Sequence, residues 1–406
     1  MDDERRLRQE CEAHNRSSRL VEEDRTASMA DFWRLGRGHF LITGSDERER
    51  KRLLMHKVAT CLESNNGPVI ILTGDETLHQ ALLPAFTRSD QELWLTTAAD
   101  PNYHLLYGLD NESICAVFRD ISRHEGSGDP QDMETYLRAF LTVLRVLRTE
   151  APSLPSMADL LSAYTDAQLI SLARQQGIAS AVTDNLTNHG AGGKALRNLV
   201  QRMQGACRSI SRPGAFTEHN VLLRALHWYR ERHPMVMVIS SPGGAPYMFH
   251  RVLSAELQRL MDGQRPFHLI LHDTAPVPED GLLDVILRAA DKRWDCGLST
   301  GSLTRLLSAT RQSDKNPYSL YPLKALLTDS QPELLASILG QLPPYEHHEV
   351  LTVKTTRRKH VRGEDALSHQ VDRSMRERIR LEDLTGAQAV LMGHDGAISH
   401  IVTRLM

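Results

Sequence analysis

The chain has 406 residues, 41% apolar and 24% charged, which is enough for two or three globular domains with sizeable cores. Its net charge of −3 excludes a global basic field that would recruit nucleic acid. The five cysteines (Cys11, Cys61, Cys115, Cys207, Cys296) are scattered without metal-ligand spacing; with no apolar run near the roughly 20 residues of a membrane helix, they suggest reduced thiols in a cytoplasmic protein.

In chain order, residues 1–31 are charged and nearly free of aromatics, and a solvated or frayed helix, or disorder, is expected there. From Phe40 the pattern becomes α/β. FLIT reads as a buried strand, and Asp46 can cap a helix with Met55, Val58 and Leu62 on one stripe. PVIILTGD (68–75) and ELWLTT (from Glu92) read as further strands. GSGDPQD (126–132) marks a boundary. Beyond it the pattern is almost wholly helical to about Arg232, with loops expected at APSLPS and HGAGG. Strand signals return at MVMVISS (235–241), FHLILHD (267–273), CGLST (296–300) and a late AVLMGHD, with helices between, including LTRLLSATRQ and ELLASILGQL. The expected organisation is a charged segment (1–31), an α/β core (32–130 and 233–406) with a mostly parallel sheet, and an all-α insertion (131–232).

The strand–Gly44–helix stretch stands where a phosphate-binding G-x-x-x-x-G-K-[ST] loop would sit. Counted from Gly44, the second glycine position holds Glu49, the lysine position Arg50 and the hydroxyl position Lys51. Glu49 disfavours the close backbone approach that glycine permits. Arg50 is bulky and fork-shaped, and Lys51 cannot ligate a cation. In FHLILHD the position of a Mg²⁺-binding acid reads His272, followed by Asp273; either frame lacks one acid. HGAGGK (189–194) is glycine-rich but has no strand before it and reads as a loop. EHHE (346–349) offers metal-ligating types, but adjacent histidines point to opposite sides, so solvated polar residues are expected. KTTRRKHVR (354–362) is a basic run, and Arg357, Arg358, Lys359 and Arg362 could touch nucleic acid, though a solvated face is the expectation.

Taken together, HFLITG, PVIILTGDETLHQALL, WLTTAADPNYHLLYGLDN, METYLRAFLTVLRVL, the 266–307 stretch from PFHLILHD to GSLTRLL, DSQPELLASILGQL and RSMRERIRLEDLTGAQAVLMGHDGAISHI stand in a particular order. That order resembles the soluble part of the type IV coupling proteins, the VirD4/TraG class of RecA-like P-loop ATPases from conjugation and type IV secretion. The resemblance covers about residues 32–406 and lies in order and spacing, not in any single motif. It implies a RecA-like domain interrupted by an all-α domain. It also places Gly301 where the family carries a sensing glutamine, before Ser302 and Leu303.

All the departures fall on nucleotide chemistry, so the expectation is a pseudo-ATPase without cofactor, metal or catalytic residues. The expected role is a scaffold or adaptor among protein partners, such as an active ATPase of similar fold or secretion-system subunits, reached at an inner-membrane assembly. The alternative is an atypical nucleotide-dependent motor that moves DNA or protein, using Arg50 or Lys51 on phosphate and Asp273 on Mg²⁺.

Overall fold

The structure is a computed structural model that describes residues 2–19, 21–24, 33, 38–75, 77–82, 92–97, 103–148, 151–207, 220–241, 246–274, 281–292, 294–301, 321, 323–327, 344–356, 365–377, 389–392 and 399–402. The elements run α1 (Asp2–Arg19), β1 (Val21–Asp24), β2 (Phe40–Thr43), α2 (Glu47–Ser64), β3 (Val69–Thr73), α3 (Leu78–Leu82) and β4 (Glu92–Thr97). Helices follow: α4 (Asn111–Glu125), α5 (Pro130–Leu147), α6 (Leu154–Ala163), α7 (Asp166–Gln175), α8 (Ser180–Asn188), α9 (Gly190–Cys207) and α10 (Val221–Glu231). The chain then alternates through β5 (Met235–Ser240), α11 (Pro246–Asp262), β6 (His268–His272), α12 (Leu282–Asp291), β7 (Cys296–Thr300) and β8 (Leu323–Leu327). It closes with β9 (Tyr345–Thr356), β10 (Asp365–Arg376), β11 (Ala389–Met392) and β12 (Ser399–Val402). The expected helices at 303–312 and 333–342, and the basic run at 357–362, lie outside the described residues.

The main sheet has the order β1-β12-β11-β8-β2-β7-β6-β3-β5-β4. From β8 to β4 every neighbouring pair is parallel. One strand, β7, separates β2 from β6, which is the order of a RecA-like core: the strand before the phosphate-loop position is not adjacent to the strand bearing the metal acid. Parallel sheets are covered on both faces, and the strands read accordingly: FLIT, VIILT, MVMVIS and HLILH are buried at every position. The period of two then divides them. Phe40, Ile42, Val69, Ile71 and Ile270 pack under Leu53, Leu54, Val58 and Cys61 of α2. Leu41, Ile70, Leu72, Leu269 and Leu271 face the layer that contains α11 and the helical region.

The chain leaves the sheet after β4 and returns at β5, its parallel neighbour, so α4–α10 are a long crossover between two adjacent strands. Helix begins at Asn111, well before the expected boundary near 130. The turn GSGDPQD joins two helices: Gly126 takes the left-handed cap of α4, and Asp129 caps α5 with Pro130 in its first turn. HGAGGK departs from expectation, since residues 190–194 are helical. Its glycines serve packing. A Cβ at Gly192 would meet the Asp132 carbonyl oxygen at 2.5 Å, and one at Gly193 the Tyr136 ring at 2.6 Å. α9 thus crosses α5 at backbone distance, and no phosphate is needed to explain the glycines.

The first residues form a helix with a largely exposed surface, one of the expected alternatives. This helix, α1, lies along β9, where the Asn15 amide donates to the His348 carbonyl at 2.8 Å and accepts from the His348 N–H at 2.7 Å.

Candidate functional site

The carboxyl ends of the parallel strands bring the sequence-singled residues together. β2 ends at Thr43, and Gly44 follows with φ +145°. A Cβ here would stand 2.3 Å from the Leu327 Cβ, so the close passage of β8 demands this glycine. Asp46 then caps α2 by accepting from the Glu49 N–H at 3.1 Å. Glu47 and Glu49 occupy the first turn of α2. Three carboxylates therefore sit at the helix end whose partial positive charge a phosphate would use. Glu49 itself turns aside to Arg52, 3.6 Å away.

Arg50, one helical turn in, is 4% exposed. Its Nη2 donates to Asp273 Oδ2 at 2.8 Å and its Nη1 to the Gly44 carbonyl at 2.5 Å. Asp273 follows β6 with φ +48°, a left-handed conformation held by its N–H on the Ser299 carbonyl at 2.7 Å. Its other carboxylate oxygen accepts the Gly301 N–H at 3.0 Å. A Cβ on Gly301 would lie 3.0–3.1 Å from the Arg50 guanidinium, so the missing side chain at 301 is what leaves room for Arg50. Arg50, Asp273 and Gly301 thus close on one another.

Beside this pair, His272 is fully buried, its Nδ1 3.0 Å from Ser299 Oγ. Burial pushes its proton affinity down, against the pull of the Asp273 and Asp75 carboxylates, so the ring is held toward its neutral form. Lys51 adjoins the cluster through Asp75, whose Oδ2 also lies 3.7 Å from His272 Nε2. Its Nζ bonds Asp75 at 2.7 Å, Glu47 at 2.5 Å and Thr77 Oγ1 at 2.6 Å. Burial works against the Lys51 charge, but the Asp75 and Glu47 carboxylates outweigh it and raise its pKa. The same bonds, with those from Thr77, overcome the burial of Asp75 and hold its carboxyl at about 2.

Gly44, Arg50, His272, Asp273 and Gly301 therefore meet, Lys51 joins them through Asp75, and Glu49 stands apart. Sequence reading missed Asp75, Thr77 and Ser299. Asp75 ends LTGD as Asp273 ends LILHD, and that parallel was the available signal. Chemically, the described residues of the site hold two neighbouring ion pairs, Arg50 on Asp273 and Lys51 on Asp75. A phosphate would have to draw Arg50 off Asp273, and a Mg²⁺ would have to draw Asp273 off Arg50. Removing one partner of a buried pair costs about 3–5 kcal/mol, roughly a hundred- to several-thousandfold in affinity.

No protein-family model and no curated protein sequence matches the chain. Among solved structures, VirB4 of Thermoanaerobacter pseudethanolicus is similar at 12% identity and a TM-score of 0.45, covering 76% of this chain and 84% of that one. The fold rests on the strand order and parallel pairing described above.

Proposed function

We propose that this chain is a RecA-like pseudo-ATPase whose nucleotide site is closed by its own side chains, and that it works as a scaffold or adaptor through its surfaces. The observation that carries this reading is the Arg50–Asp273 pair, which consumes the phosphate-facing cation and the metal-facing carboxylate together. Phosphoryl transfer is almost wholly positioning and electrostatics, and among the described residues at this site Arg50 is paired with Asp273 and Lys51 with Asp75, so rate and binding should fall together. The resemblance to type IV coupling proteins suggests the setting: a cytoplasmic subunit of a secretion- or conjugation-type assembly, recruited by protein partners such as an active ATPase of similar fold. The described residues contain no helix long and apolar enough to cross a membrane.

The test is calorimetric titration of the full-length chain with Mg·ATP, alongside a turnover assay. The expected result is no micromolar binding and no turnover above a protein-free blank. Magnesium-dependent turnover that disappears in Arg50→Ala, Lys51→Ala and Asp273→Ala would overturn the proposal in favour of an atypical motor.

A further inference from the structure

The EHHE segment lies in β9, where alternate residues share a face. His347 and His348 point apart, but Glu346 and His348 point the same way, and α1 lays His14 against them. One ligand atom from each of His14, Glu346 and His348 lies within 4.8 Å of the other two. The His348 Nε2 stands 3.7 Å from Glu346 Oε2. That nitrogen is sealed from solvent and has no hydrogen-bond partner among the described residues. A buried polar atom without a partner calls for an explanation, and between two further ligating side chains a bound ion supplies one. The other Glu346 oxygen lies 3.9 Å from the exposed Arg373, so Oε2 is the one turned toward the histidines.

We propose that His14, Glu346 and His348 bind a borderline transition-metal dication of the Zn²⁺ type, which staples the first helix to the β9–β10 hairpin. Two imidazoles and one carboxylate form the ligand set that such ions favour and that hard Mg²⁺ does not. Ligand atoms about 2.1 Å from a tetrahedral ion sit about 3.4 Å apart, close to the 3.7 Å between His348 and Glu346. The two rings are stacked, with centroids 3.7 Å apart, so binding requires them to turn until one nitrogen of each converges on the ion. The surroundings fix the ligands from outside. Asn15 clamps the His348 peptide on both its N–H and its carbonyl, and Ser18 Oγ lies 3.2 Å from His14 Nε2. The remaining positions on the ion stay open to water. This inference does not depend on whether the nucleotide site is inactive.

A second cluster, Cys61, His268 and Asp295, has comparable spacing. There the buried Lys57 ammonium stands 3.8 Å from Asp295, and a dication would be placed beside it. That cluster supplies the control.

The experiment is equilibrium dialysis of the untagged full-length chain against Zn²⁺, with Co²⁺ as a spectroscopic stand-in. One ion per chain is expected. His14→Gln and Glu346→Gln should weaken binding by at least about tenfold, while Cys61→Ser leaves it unchanged. The Co²⁺ spectrum should lack a thiolate charge-transfer band. Zinc should also slow tryptic cleavage after Arg8, Arg16 and Arg19 in the wild-type chain and not in His14→Gln. Absence of stoichiometric zinc, a His14→Gln chain that binds as the wild type does, or loss of the ion in Cys61→Ser would each overturn the assignment.

Discussion

Arg50 is held by two contacts that a lysine could not copy together, to Asp273 and to the Gly44 carbonyl, and its guanidinium occupies the space that Gly301 leaves open. Arg50→Ala should therefore destabilise the protein by about 3–5 kcal/mol, because it leaves Asp273 facing an empty, partly dry site. Arg50→Ala with Asp273→Asn should recover part of that loss, as a double-mutant cycle by urea denaturation would show. If the two single changes simply add, the pair is not coupled and the site is not closed in the way described. Gly301→Ala should cost about 1–3 kcal/mol by crowding the guanidinium. Gly44→Ala should cost more, since it combines positive φ with a 2.3 Å approach to Leu327. Asp75 carries a pH signature. Its folded pKa, about 2, lies below the ordinary carboxylate value, so its contribution is present above about pH 4 and is lost as pH falls toward 2. Lys51→Met should remove that acid-side slope.

At the scale of elements, the helical crossover is tied to the sheet layer through one buried carboxylate. Glu256, on α11, accepts the Val221 and Leu222 N–H groups at the start of α10 and the Tyr103 hydroxyl. Asn220 caps the same helix and donates to the His104 and Tyr107 carbonyls. Burial raises the Glu256 carboxyl to about 8, against the lowering effect of its hydrogen bonds. A carboxyl raised on folding stabilises fully below its unfolded pKa, about 4.3, and that contribution drains away as pH rises through about 8. The docking of α10 should thus weaken between about pH 4 and pH 8. Glu256→Gln should flatten this stretch of the stability profile, measured as the urea midpoint across the range. A profile in Glu256→Gln as steep as that of the wild type would assign the slope to other groups.

For the whole molecule, the proposed scaffold role would be carried by surfaces, and among the described residues the crossover α4–α10 is the largest region outside the sheet. The core that runs through it is continuous with the sheet face: Leu41, Ile70 and Leu269 belong to the same buried cluster as Phe140, Leu160 and Leu199. Excising residues 133–232 with a flexible linker should abolish capture of the partners that the full chain pulls down. It should also lower stability, because α10 leaves with the excised piece and Glu256 loses both of its backbone donors. A shortened protein that pulls down the same complex would move the docking surface to the sheet domain or to α1.

Local chemistry was enough for the central strands and the first helix of the core. Runs such as VIILT and HLILH are apolar through their middle positions, which suits a strand buried on both faces, and Asp46 marks a helix start through a short-range side-chain bond. The absence of a second glycine, a lysine and a hydroxyl after Gly44 is likewise a property of the letters themselves. Partnership across the chain was not legible. Arg50 and Asp273 are 223 residues apart, and His14 and His348 are 334 apart, so no local pattern pairs them. The glycines of HGAGGK resembled a loop because their reason, the backbone of α5 at 2.5 Å, lies on another helix. Apolar period and capping depend on neighbours within about four residues; ion pairing, ligand convergence and close backbone approach depend on which strands and helices become adjacent, and only the packed sheet decides that.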